Sequence, residues 1–167
     1  MKKFSIFLVL IIAFSCKQKE APTPKEVPAP TPIVDKSAYN AEKAKAFGAD
    51  EYGMKKYIFA FLKKGPNRDQ DSITKAELQR AHLKNINRLA AEGKLVLAGP
   101  FFGEENLLGL YIFNVPDLAT AEALANSDPA IKAGSLTLEL KEWYGSAALM
   151  EVNEIHGTLE KKDVASE

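Results

Sequence analysis

The sequence predicts an α+β domain in the order βαββαβ, a four-stranded antiparallel sheet with helices packed on one of its faces. Three observations carry this expectation. Unbroken apolar runs at Tyr57–Leu62, Leu95–Gly99 and Leu107–Val115, with an alternating segment from Leu136, have the length and composition of strands. Two capped, helix-patterned stretches, one after Thr74 and one after Pro116, separate them. The alternation of the two kinds of element fits one layer of each around a single core.

Taken in order, the chain first shows MKKFSIFLVLIIAFSC, two lysines ahead of an apolar run from Phe4 to Phe14. A spanning helix needs about 20 apolar residues, so this run suits the h-region of an export signal, residues 1–15. Its end, Ala13-Phe14-Ser15-Cys16, resembles the lipobox of bacterial lipoproteins, which implies lipidation at Cys16 and attachment to a membrane of the bacterial cell envelope. Read without that resemblance, Cys16 is an incidental residue beside a secretory cleavage site. It is the sole cysteine, so no internal disulfide or thiolate metal cluster can form. Residues 16–35 follow, with Pro22, Pro24, Pro28, Pro30 and Pro32 among small and charged residues. Proline fixes φ and removes amide donors, so this segment is expected to be an extended tether of roughly 50 Å.

Basic and acidic residues balance at 22 each, and loss of Lys2 and Lys3 with the signal leaves the remainder close to neutral. No basic stripe interleaves with aromatics, which argues against a nucleic-acid partner. Roughly 120 residues remain after the tether, enough for one compact core. The domain is expected at 36–146, with an extension at 147–167.

Ser37 to Phe47 reads as a short leading helix, with Ser37 as candidate N-cap and Gly48 just past its end. Tyr57–Leu62 is a buried strand ending at Gly65-Pro66. Thr74-Lys75-Ala76-Glu77 has the form of a capping box opening a helix from about Lys75 to Glu92, which Gly93 stops. Leu95–Gly99 and Leu107–Val115 are the second and third strands, joined by the polar turn GEEN. Pro116-Asp117 opens a second helix through Ala125. In SLTLELKEW, Leu136, Leu138 and Leu140 alternate with Thr137, Glu139 and Lys141, as in a strand with one wet face. The whole is a ferredoxin-like split βαβ arrangement.

In that arrangement the first and third strands lie in the middle, and both are apolar on both sides. Tyr57, Phe59 and Phe61 stand opposite Ile58, Ala60 and Leu62; Leu110 and Ile112 stand opposite Tyr111, Phe113 and Val115. Helices cover one face only, and exposed apolar surface costs about 25 cal/mol per Å². A homodimer, sheet on sheet in the manner of a dimeric α/β barrel, would cover the other. The competing explanation is that the C-terminal tail or the leading helix folds over it. In the tail, Leu149, Val152, His156 and Leu159 approach helical spacing, although Gly157 interrupts them, so the segment reads as either an extra helix or a swapped segment, and the last residues are expected to fray.

The segments AHLKNINRLAAEGKLVLAGPF, LGLYIFNV, NSDPAIKAG and LTLELKEWYG together resemble the YCII-related (YciI-like) domain family over about Lys56 to Tyr144. The most specific features are the helix histidine, the A-G-P-F turn at Ala98–Phe101, and D-P-x-x-x-A-G at Asp128–Gly134. The resemblance implies a dimeric α/β-barrel scaffold and a catalytic His-Asp pair, which falls on His82 and Asp128. Members of the family are mostly small and cytoplasmic, whereas this chain adds a signal, a tether, a leading helix and a tail.

From the residues alone, Leu78, His82, Ile86, with Asn85 beside it, and Leu89 recur at three and four residues, placing His82 on the inward stripe. Such an imidazole is either a core histidine bonded to a backbone carbonyl or an acid/base group held by a carboxylate. Asp128-Pro129 as a bare pattern is a helix N-cap, and only the resemblance makes it an active-site residue. A carboxylate has two oxygens, so capping and pairing are compatible. Glu104 and Glu105 read as a solvated turn tip. Tyr57, Tyr111 and Trp143 are core aromatics that could line a pocket. There is no metal-ligand spacing, no phosphate-cradling glycine loop and no GxSxG elbow, so neither a cofactor nor a protein-ligated metal is expected. The expected function is proton transfer on a small apolar or aromatic acid or lactone; the alternative is a non-catalytic ligand-binding or envelope interaction protein on the same scaffold.

Overall fold

The computed structural model describes residues 39–103 and 106–166. The export signal, Cys16, the tether, Ser37 and the Glu104-Glu105 turn tip lie outside the described residues. Among the described residues no helix is long and apolar enough to cross a membrane.

The first helix, α1, is Ala41–Phe47, with Asn40 rather than Ser37 as its cap. The Asn40 side-chain Oδ1 accepts the Lys43 amide at 2.9 Å, and Gly48 closes the helix at φ 67. The strands and helices then follow as β1 (Met54–Lys64), α2 (Ser72–Ala91), β2 (Leu95–Pro100), β3 (Leu107–Phe113), α3 (Leu118–Ala125), a single turn α4 (Pro129–Lys132) and β4 (Leu136–Ser146). Sheet order is β2-β3-β1-β4, antiparallel throughout, so the two doubly apolar strands are central.

The capping box is not used. Helix α2 starts two residues before Thr74, because the Asp71 carboxylate accepts the Ile73 and Thr74 amides at 2.8 and 2.9 Å and the Thr74 hydroxyl as well. A carboxylate at the positive end of a helix is a stronger cap than the Thr–Glu pair offered three residues later.

On one face of the sheet Ile58, Ala60, Leu62, Tyr111 and Phe113 pack against Leu89 of α2 and Ala121 and Ala125 of α3. On the other, Tyr57, Val96 and Ile112 are buried beneath Leu149 and Met150. Those two residues belong to a 3-10 turn at Ala147–Glu151, which leads into α5 (Val152–Leu159). The tail therefore supplies part of the cover that sequence assigned first to a second protomer. Phe59, Phe61, Leu97 and Leu110 stay half-buried, and Trp143 is 38% exposed.

Two expectations about the tail need correction. Gly157 does not interrupt α5. A helical glycine costs about 1 kcal/mol, which anchoring offsets here: the Asn153 amide donates to the Leu95 carbonyl at 2.8 Å. Nor are the described residues up to Ser166 without anchoring contacts. Asn87 of α2 donates to Asp163 at 2.8 Å, and Ala165, in a terminal 3-10 turn at Val164–Ser166, is buried.

Candidate functional site

Three elements build the site: α2, β3 and α4. His82 and Asn85, one helical turn apart, and Leu89 are the buried residues of α2; Ile86 is half-buried. Tyr111 rises from β3 on the helix-covered face. Asp128 arrives as the N-cap of α4, which Pro129 begins and Gly134, at φ 70, follows.

Asp128 is fully buried, and its two oxygens have separate tasks. Oδ1 accepts the Ala130 amide at 2.8 Å, closing the cap. Oδ2 lies 2.9 Å from His82 Nδ1, accepts from Asn85 Nδ2 at 3.2 Å, and receives the Tyr111 hydroxyl at 3.4 Å. Burial pushes the Asp128 carboxyl upward, but the His82 hydrogen bond and charge, with the Ala130 and Asn85 amides, outweigh it and hold the group below its ordinary value. An ionised carboxylate has no proton to give, so His82 Nδ1 donates. In the neutral ring the lone pair is then at Nε2.

Tyr111 also stands 3.3 Å from Nδ1 and 3.4 Å from Nε2, with its ring 6.0 Å from the imidazole. Its hydroxyl has a single hydrogen and serves one acceptor at a time. Burial first, then the Asp128 charge, pushes its pKa upward, so it remains a protonated donor. Asn85 is oriented from behind, because its Oδ1 accepts from Arg88 Nη2 at 2.8 Å. That leaves the amide nitrogen directed at Asp128.

His82 and Tyr111 open onto a cavity of about 650 Å³, and Asp128 lies behind them, off its wall. The cavity is bounded by α2, by edge strand β2 and by the tail, and its lining is mainly apolar, including Leu83, Ile86, Leu97 and Ala98. His156 also lines it. A volume of this size takes a small organic molecule. Among the described residues no group of three or more His, Cys, Asp or Glu converges as metal ligands would.

The structure thus brings His82 and Asp128 together across 46 residues of sequence. Tyr57 and Trp143 lie on the opposite face of the sheet from this site, 5.9 Å apart ring to ring, and line no part of the cavity. Asn85 and Arg88 were not among the expected site residues. Their signal was the spacing of three from His82 to Asn85 and again to Arg88, which sets polar groups along the inward edge of the helix.

An uncharacterised Bacillus subtilis (strain 168) protein, YjpA, is 34% identical over 62 residues, 37% of this chain and 71% of that protein. Among solved structures, 5-chloro-2-hydroxyhydroquinone dehydrochlorinase (TftG) from Burkholderia phenoliruptrix AC1100, in complex with 2,5-dihydroxybenzoquinone, is similar at 21% identity and a TM-score of 0.40. That similarity covers 52% of this chain and 92% of that one. The YCII-related domain matches residues 58–153, from the centre of β1 into α5, and the chain belongs to that family.

Proposed function

We propose that this protein is an exported, lipid-anchored enzyme that moves a proton on a small organic molecule, with His82 as the acid/base and Asp128 as its partner. The observation that carries the reading is a buried imidazole, fixed at Nδ1 by an ionised carboxylate, on the wall of a mainly apolar cavity. Nε2 accepts a proton from the bound substrate, and the imidazolium that forms is stabilised by Asp128 in surroundings where charge is weakly screened. Return of that proton at another atom gives isomerisation, and its return to a leaving group gives elimination. Activation of water by the same nitrogen gives hydrolysis. The lining favours an apolar or aromatic acid or lactone. Cys16 and the proline-rich segment supply the anchor and spacer, placing the domain at the face of an envelope membrane.

Substrates are to be found by thermal shift against a metabolite library, followed by mass analysis of products. His82→Asn is expected to lower turnover a hundredfold or more, in line with loss of a general acid/base, while the fold is retained. Turnover unchanged in that variant would sink the proton-transfer reading. Binding without any product would leave a ligand-binding module.

The reading includes a homodimer. Phe59 and Phe61, ring centroids 4.7 Å apart, with Trp143 at 6.0 Å from Phe59, form the part of the second face that the tail leaves half-open. Beside them Glu139 bridges Lys63 and Lys141, and these two hold its carboxyl down at about 2. A patch with an aromatic centre and both signs of charge at its edge can meet its own copy across a two-fold axis. Phe61→Glu is expected to convert the dimer to a folded monomer in sedimentation velocity. A wild-type protein that sediments as a monomer at tens of micromolar would count against the pairing.

A further inference from the structure

The family match ends at residue 153, within α5, yet the cavity does not. His156 and Glu160 of the following segment line it, as does Val164 in the terminal turn. The segment is fastened at two points. Asn153 holds the first strand residue of β2 through the Leu95 carbonyl, and Asp163 holds Asn87 of α2. It bridges edge strand and helix, so the groove between them has a third wall.

That wall is tied to α2 beyond the His82–Asp128 pair, at Asn87. Lining residues on α2 run from Gln79 to Ala90, and at 1.5 Å per residue the cavity follows the helix for roughly 16 Å. The tie at Asn87 lies about 7.5 Å along the helix axis beyond His82, by the same rise. His82, with Tyr111, marks one region of the cavity; His156, 3.7 Å from the Glu160 carboxylate, marks another. Glu160 beside the imidazole accepts hydrogen bonds and Lys162 of the same segment also lines the cavity, so with both signs of charge present the group that suits this end is a neutral one such as a hydroxyl.

We infer that the C-terminal segment from Val152 to Ser166 is the specificity wall of the site, selecting an elongated, mainly apolar substrate whose reacting end meets His82 and whose far end carries a hydroxyl that meets His156 and Glu160. This rests on the proton-transfer reading for the identity of the reacting end and adds to it the length and polarity of the substrate.

The chain has two histidines, so each end carries its own imidazole proton signal in NMR, assigned by His82→Asn and His156→Asn. The full chain is titrated with phenol, with para-(hydroxyhexyl)phenol and with the carboxyhexyl analogue. Phenol is expected to move the His82 signal alone, and the hydroxyhexyl compound to move both. His156→Ala should weaken the hydroxyhexyl compound roughly five- to tenfold, as for one hydrogen bond lost, and leave phenol unchanged. Should the long compound move only the His82 signal, or bind equally well to His156→Ala, the specificity wall is overturned and the proton-transfer reading stands. Equal affinity for the carboxyhexyl analogue overturns the hydroxyl end. A His82 signal that no compound moves overturns both readings.

Discussion

Asp128→Ala is expected to destabilise the domain by about 3 to 5 kcal/mol, as removal of one member of a buried charged network does. The carboxylate is fully buried and is the common acceptor for His82, Asn85, Tyr111 and the Ala130 amide. Truncation leaves those largely buried donors without their common acceptor, and it removes the cap of α4 at the same time. The loss depends on pH in a direction set by Asp128. Its folded pKa lies below its ordinary value, so its contribution to stability is fully present above the unfolded-state value near 4 and is lost as pH falls through the folded one. The gap between wild type and variant in chemical denaturation should therefore be widest near neutrality and shrink in acid. A gap that widened on acidification would mean that Asp128 is protonated in the native state, and His82 would then lack an anionic partner.

Asp128→Asn tests the chemistry more finely. The amide keeps the volume, so the stability loss should be smaller, but it offers no charge to the imidazolium. Turnover should fall nearly as far as in His82→Asn while binding persists. A charge-neutral replacement that kept full turnover would show that His82 needs a hydrogen-bond acceptor and nothing more.

What was legible in the sequence and what was not divide along physical lines. Strand order and the inward face of α2 follow from hydrophobic period, which depends on near neighbours alone; Ile58, Ala60 and Leu62 had to face one way whatever lay above them. The N-caps were less legible, because Asp71, Ser72 and Thr74 all offer oxygens within four residues and the choice rests on which backbone amides end up unpaired. Hardest was the tail. Gly157 weakens the helical pattern, and the contacts that offset it, Asn153 with Leu95 and Asp163 with Asn87, join residues 58 and 76 apart in sequence. Within the site the His82–Asp128 pair came from a resemblance, since Asp-Pro by itself says only that a helix begins. Asn85 was noted beside the inward stripe without a role, and Arg88 not at all, for a related reason: a polar residue there declares itself only when its partner is known.

Gly65→Ala is expected to cost about 3 kcal/mol and to disturb the site from a distance. Gly65 follows the last residue of β1, and its amide donates to the Ser135 carbonyl while Asn67 takes the Gly134 carbonyl, both at 3.0 Å. A Cβ at Gly65 would sit 2.1 Å from the Gly134 oxygen and 2.7 Å from its carbon, against backbone that cannot swing aside. The two segments touch so closely because this seam fastens the end of the first strand to Gly134 and Ser135, just after α4, whose start Asp128 caps. Room for a methyl comes only from moving that turn, and the turn carries Asp128 with it. Thermal unfolding should show the loss, and the His82 imidazole signal should shift as its hydrogen bond to Asp128 lengthens. Gly93→Ala supplies the comparison: its φ of 67 brings strain of about 1 kcal/mol, but a Cβ there meets nothing within 4 Å, so the His82 signal should stay in place. If Gly65→Ala lowered stability with the imidazole signal unmoved, Asp128 would be held by α2 and β3 alone, and the seam would matter to the fold without reaching the chemistry.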